Sequence, residues 1–127
     1  MNFEKYIGIE YCPPDKPGDG LSCWELVELV MKDEFKLKPP VVNYKSDYRL
    51  ATPVFMKELE SWVEIEPGEE LPGDLALFNM LGIYSHCGIV IDRSRMLHIL
   101  ANRNAVIERY DSHCWLNRCI GFYRWLN

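Results

Sequence analysis

Ser22-Cys23-Trp24-Glu25 is the stretch that most constrains how this chain can fold. Ser at a helix N-cap and Glu at the third helical position make a capping box, in which each side chain accepts the other residue's backbone N–H. A helix is therefore expected to start at Cys23. Val27, Val30 and Met31 follow at helical spacing and put Cys23 on an apolar, core-facing stripe. Pro39-Pro40 limits the helix to about Phe35. A thiol in the first turn sits in the positive end of the helix dipole, which favours thiolate. Taken alone, the same position also suits a small buried hydrophobe, the ordinary state of a free cysteine.

Two histidines give the thiol a prospective base. His86 lies in Ser85-His86-Cys87-Gly88-Ile89-Val90-Ile91 and His98 in Arg95-Met96-Leu97-His98-Ile99-Leu100, with Asp92-Arg93-Ser94 between them as a turn. A hairpin centred on Asp92 sets His86 opposite His98, with Cβ atoms roughly 4.5–5.5 Å apart. One imidazole can then serve the thiol as base while the other fixes its tautomer. The alternative is a pair of half-buried strand histidines with local hydrogen bonds. A one-residue slip would put the two on different faces. In a regular strand Cys87 points away from His86.

The remaining pattern is helices first and strands later. Residues 1–11 suggest a short helix leading to Tyr11, and residues 12–20 a Pro- and Gly-rich loop. Residues 36–45 form a Pro-containing crossing segment. Ser46 to Trp62 reads as two helical pieces broken at Pro53, with Thr52 as a second N-cap. Strand-like runs follow at Leu75–Phe78, Ser85–Ile91, Met96–Leu100, Val106–Tyr110 and Cys119–Trp125. This order predicts one α+β domain over residues 1–127, with the Cys23 helix packed on an antiparallel sheet of about five strands.

Composition narrows the function class. With 127 residues and 48% hydrophobic content the chain can bury a real core. A net charge of −5 without an Arg/Lys run argues against nucleic-acid binding. No apolar run is long enough for membrane insertion, and Met1-Asn2-Phe3-Glu4-Lys5 is unlike a signal peptide, so synthesis and folding in a cytoplasm are expected. The five cysteines, an odd number, do not suggest a disulfide framework. His113, Cys114 and Cys119 with Cys87 or His86 would be the zinc alternative, but no C-x-x-C pair or common zinc spacing is present. No metal and no cofactor is expected.

The same residues resemble the NlpC-like cell-wall peptidase family, papain-like cysteine peptidases. Gly20-Leu21-Ser22-Cys23-Trp24-Glu25-Leu26-Val27 is similar to the nucleophile motif Gly-x-Asp-Cys-(Ser or Trp)-Gly-Leu-Val. Pro72-Gly73-Asp74-Leu75-Ala76-Leu77-Phe78 resembles the Pro-Gly-Asp strand, Ser85–Ile91 resembles Ser-His-Val-Gly-Ile-Tyr, and Met96-Leu97-His98 resembles the third polar position. Tyr6–Tyr11 resembles the leading segment, with its tyrosine before the loop. Trp24 and the ending Val106-Ile107-Glu108-Arg109-Tyr110 … Gly121-Phe122-Tyr123-Arg124-Trp125 look most like tail-associated members from phages and prophages.

The resemblance implies a papain-like NlpC-type fold with Cys23 as nucleophile, His86 as base and then acid, and His98 as the orienting group. Tyr11 would stand at the oxyanion site, with Ser22 and Glu25 at the substrate. The implied substrate is a peptidoglycan stem peptide, cut between γ-D-glutamyl and the diamino acid through an acyl-enzyme. The implied partners are other phage tail-tip proteins, and the implied location is the virion tail tip at the cell wall, after synthesis in the host cytoplasm. Ser22 replaces the family's usual Asp, Glu25 its usual Gly, and no Arg matches near Pro39–Ser46, so the subsites look altered. A tail-tip assembly protein that keeps the fold is one alternative. A lipid acyltransferase of the superfamily is another, although those place His before Cys in the chain.

Overall fold

The computed structural model describes residues 2–13, 18–42, 48–82 and 84–127. Its elements are a 3-10 turn at Glu4–Tyr6, helix α1 (Cys23–Phe35), helix α2 (Tyr48–Leu59), and strands β1 (Val63–Ile65), β2 (Leu75–Met80), β3 (Tyr84–Asp92), β4 (Arg95–His98) and β5 (Val106–Arg109). The short helix α3 (His113–Leu116) and strand β6 (Cys119–Arg124) complete them. The strands form an antiparallel sheet in the order β1-β6-β2-β3-β4-β5. The chain is thus α+β, as its helices-then-strands order implied.

The helix α1 starts where its capping box dictates. Glu25 N–H reaches Ser22 Oγ at 3.4 Å, and Ser22 N–H reaches Glu25 Oε1 at 3.0 Å. The helix ends at Lys36, which takes the left-handed conformation at φ 57°. Its buried stripe of Trp24, Leu26, Val27, Val30 and Met31 shares a core with Leu75, Leu77, Cys87, Ile89 and Leu97 of the sheet. Trp24 anchors that core, with ring centroids 4.9 Å from Phe55 and 5.7 Å from Trp62. The other sheet face, with Ala76, Phe78, Val90, Met96 and Phe122, is covered by Tyr110 and by Trp115 of α3.

Three expectations change. Among the described residues the sheet has six strands rather than five. The extra one, β1, has only three residues, too few for an alternating pattern to stand out. The break at Pro53 is absent: α2 runs through it, its far half held by the buried Phe55 and Leu59. Pro53 forgoes one backbone hydrogen bond, and burial of those side chains offsets the loss. The helix α3 was not foreseen, because four residues give no periodicity. Residues 14–17 of the Pro-rich loop, 43–45 of the crossing segment and 46–47 at the expected start of the second helix lie outside the described residues.

Two close approaches set the loop before α1. Leu21 N–H donates to Glu10 O at 2.9 Å and Cys12 N–H to Leu21 O at 3.0 Å, so the Tyr11 segment lies alongside the residues leading to Cys23. A Cβ at Gly20 would fall 2.2 Å from Glu10 O, which only a glycine avoids. Farther off, Arg124 clamps Asp74 through Nε–Oδ1 and Nη2–Oδ2 contacts of 2.8 Å each, and Asp74 also accepts Leu71 N–H at 2.8 Å. This ties the Pro72-Gly73-Asp74 turn to β6.

The pair is asymmetric: the Asp74 side chain is 2% exposed and that of Arg124 31%. Arg124→Met strands a buried carboxylate and is expected to cost about 3 kcal/mol. Asp74→Asn leaves an arginine that can turn to water and should cost about 1–2 kcal/mol. Urea unfolding of both variants at pH 7 checks the order, and a larger loss for Asp74→Asn would contradict it.

Candidate active site

Cys23 opens α1, and its sulfur hydrogen-bonds both Cys87 and His86 of β3. The thiol is held well below its ordinary pKa. The Cys87 hydrogen bond is the main cause, burial opposes it, and the hydrogen bond and charge of His86 add to it. Cys87 moves the other way, pushed well above the ordinary range by burial and by the Cys23 sulfur beside it. Cys87 does leave the His86 side of the sheet, as strand alternation requires. That orientation takes it into the core under α1, where it meets the nucleophile candidate.

The histidines meet, but not as direct partners. His98 pairs with Gly88, two residues along from the expected register: Asp92 pairs with Arg95, so the turn is centred on Arg93-Ser94 rather than on Asp92, a shift of three that the extra residue between Val90 and Asp92 cuts back to two. A shift of two keeps the face, so His86 and His98 become diagonal neighbours. His86 Nε2 lies 2.8 Å from His98 Nδ1. Gly88 is what permits this. A Cβ there would sit 3.0 Å from His98 Cβ, 3.1 Å from Met96 Sδ and 3.2 Å from Leu97 O.

Beyond His98 stands Glu108 of β5, its Oε2 2.6 Å from His98 Nε2. Burial works against the Glu108 carboxylate, yet hydrogen bonds from Trp115 and His98 hold it below its ordinary pKa. Tautomers follow from the chain of contacts. His98 Nε2–H donates to Glu108, so neutral His98 accepts at Nδ1 from His86 Nε2–H. That leaves His86 Nδ1 for the Cys23 proton. Burial, then the charge of His86, pushes the His98 pKa down to about 4, so His98 stays neutral. Trp115 packs over the pair, with its centroid 5.7 Å from His86 and 5.0 Å from His98.

The chain belongs to the NlpC/P60 family. The family match spans residues 11–124 and takes in the whole relay. No curated protein sequence matches the chain. Solved structures do. An NLP/P60 family protein similar to a lipoprotein, from Staphylococcus aureus subsp. aureus Mu50, has a TM-score of 0.67 at 22% identity, covering 97% of this chain and 38% of its own. NlpC2 from Trichomonas vaginalis has a TM-score of 0.67 at 15% identity, covering 98% of this chain and 43% of its own. An NlpC/P60 family protein from Bacillus cereus ATCC 10987 has 0.67 at 19% identity, covering 98% and 38%. The chain therefore spans well under half the length of these structures, and each likeness concerns the fold.

Within the NlpC/P60 frame, the motif residues divide. Cys23, His86 and His98 come together. Tyr11 is half-buried and pairs with Leu21, two residues before the thiol. Ser22 is fully buried, and its hydroxyl accepts the helix-cap hydrogen bond from Glu25 N–H. Glu25 is half-buried and returns the cap. Sequence reasoning missed Glu108, Trp115, Gly88 and the Cys87 contact. The alternation of β5 could have placed Glu108 on the histidine face. Trp115 gave no such signal. Among the described residues no three His, Cys, Asp or Glu side chains are grouped to hold a metal ion, and no helix is long and apolar enough to cross a membrane. A surface pocket of about 430 Å³, lined by His98, Asn102, Arg103, Asn104 and Glu108 among others, opens at the outer end of the relay.

Two outcomes follow. The folded-state pKa of His98, about 4, lies below its ordinary value of 6.5, so unfolded chains bind the proton first as pH falls. Its contribution is complete above pH 6.5 and is lost towards pH 4, amounting to about 3 kcal/mol. Glu28, raised to about 7 by burial, acts with the opposite sign and flattens the wild-type profile. The comparison that isolates His98 is therefore urea unfolding of wild type and His98→Asn between pH 4 and 7. The wild type should lose more on acidification. Second, Gly88→Ala should push His98 off His86, destabilise by about 1–2 kcal/mol and slow alkylation of Cys23 near neutral pH. Unchanged alkylation would show that Gly88 does not set the relay.

Proposed function

We propose that this chain is a cysteine endopeptidase of peptidoglycan stem peptides, cutting the amide between γ-D-glutamyl and the diamino acid. The observation that carries the reading is the continuous path from Cys23 through His86 and His98 to Glu108, with contacts of 2.8 Å and 2.6 Å in its last two links. NlpC/P60 proteins are cysteine peptidases, and the thiol, two imidazoles and carboxylate in line here support that reading.

In this reading Cys23 transfers its proton to His86 Nδ1, and the thiolate attacks the amide carbon. The oxyanion forms beside the Cys23 backbone N–H, at the positive end of α1, with Tyr11 as second donor. His86 then protonates the leaving amine. A water that returns its proton to His86 hydrolyses the acyl-enzyme. His98 and Glu108 touch no substrate atom: they hold His86 in the tautomer whose Nδ1 faces the sulfur.

The place of work we propose is a phage or prophage tail tip, reached after synthesis in the bacterial host and surrounded by other tail proteins. Trp24 after the nucleophile and the Val106–Trp125 ending, similar to tail-associated relatives, support it. Mass spectrometry of purified particles should find the chain, and its absence would remove the tail assignment. The near-complete burial of Cys23, His86 and His98 favours a second reading, a tail-tip assembly protein with little activity. A Cys23 that alkylates readily in a protein that cuts no stem peptide would establish that one.

Activity variants test the first reading. Cys23→Ala and His86→Ala should abolish cleavage of muropeptides, whereas His98→Ala should keep a residue of it. Glu108→Gln should lower kcat about tenfold with little change in KM, the loss of one charged hydrogen bond to the orienting group. Its pH profile should shift as well, since an amide holds the His98 tautomer less firmly. Liquid chromatography of digested sacculi reads all four. Full turnover in Cys23→Ala would refute the mechanism.

A further inference from the structure

We propose that Cys87 is a resolving thiol for Cys23, so that a hydroperoxide converts the pair into a reversible intramolecular disulfide. The geometry points to it. Cys23 in the first turn of α1 and Cys87 in β3 share one buried core and are joined by a sulfur–sulfur hydrogen bond. Both are thiols in the structure. Closing the bond to about 2.05 Å asks the two sulfurs to move from hydrogen-bond contact to bonding distance.

The other cysteines are engaged elsewhere. Cys114 Sγ accepts from Arg118 Nη1 at 2.9 Å on α3. Cys119 packs against the core on the opposite sheet face. Cys12 lies against Gly18 in the loop before α1.

The chemistry balances. The Cys23 thiolate attacks the outer oxygen of the hydroperoxide, forming an S–O bond and breaking the O–O bond. The leaving alkoxide or hydroxide takes up a proton. Cys87 sulfur then attacks the sulfenic sulfur of Cys23, the S–S bond forms, and the S–O bond breaks. The thiol proton of Cys87 leaves with the hydroxide as water. The peroxide gains two electrons, one from each sulfur. The division of ionisation suits the roles: Cys23 is held as the attacking thiolate, while burial and that thiolate together keep Cys87 protonated, and oxidation of Cys23 removes the second of these. Closure would silence the proposed peptidase without destroying its nucleophile.

The test needs no assumption about substrate. The purified full chain is treated with a small excess of hydrogen peroxide at pH 7, alkylated, digested and mapped by mass spectrometry. The expected product is a Cys23–Cys87 cross-linked peptide, reopened by dithiothreitol. Sulfinic or sulfonic Cys23 with Cys87 still alkylatable would overturn the proposal. So would a link from Cys23 to Cys12, Cys114 or Cys119, or a Cys23 left unoxidised. In Cys87→Val, and in Cys87→Ser as a second variant, the same treatment should drive Cys23 to irreversible oxidation. Where muropeptide cleavage is measurable, dithiothreitol should restore most of the treated wild-type activity but under a tenth of that in either variant, each relative to its own untreated sample. A chain that forms the cross-link yet cuts no muropeptide would keep this inference and overturn the peptidase reading.

Discussion

The contact between His86 Nε2 and His98 Nδ1, 2.8 Å across the position of Gly88, is the constraint on which the site depends. Two imidazoles this close cannot both be cationic without strong repulsion, and neither can donate unless the other accepts. Glu108 resolves the ambiguity by accepting the outer N–H of His98, so each donor points outwards, from His86 to His98 and from His98 to Glu108. The sheet serves that contact. The bulge after Val90 selects the diagonal pairing, Gly88 empties the space between the rings, and Trp115 closes over them. The capping box of α1 then brings the thiol to the free nitrogen of His86.

Much of this was legible in the sequence where a local rule applies. Ser22 and Glu25 stated the first residue of α1, and the apolar stripe stated its buried face. The shared face of His86 and His98 was also legible, because a register error of two residues leaves period-two alternation intact. What stayed hidden depends on tertiary neighbours. Glu108 is one of many acidic residues until β5 is placed beside β4. Trp115 reaches the histidines from a four-residue helix that no pattern announces. Pro53 looked like a break because propensity speaks against it, and packing of α2 overrode propensity.

The treatment of buried charge is consistent across the molecule. Asp74 is buried with both oxygens on Arg124 and a further N–H from Leu71. Glu108, by contrast, is partly exposed, and hydrogen bonds from Trp115 and His98 hold it ionised. Glu28 is the exception: burial raises it to about 7, and the long 3.3 Å contact from Val42 N–H, the charge of Lys32 and a hydrogen bond from Trp24 offset that only in part. Desolvation outweighs the donors there, so this carboxylate stands close to neutrality at physiological pH.

Cys23 illustrates why a low thiol pKa and high reactivity are separate quantities. A hydrogen bond from Cys87 stabilises the thiolate, which raises its population, but the same bond must weaken as the sulfur lone pair turns to a carbonyl carbon. An apolar residue at that position would leave the thiolate to His86 and the backbone of residue 87, scarcer and more nucleophilic. With a thiol there, the sulfur is ionised more readily and held more tightly. In the proposed reaction its attack then relies more on what the transition state gains from the positive end of α1. The balance between those terms is set in β3, one residue beyond the base.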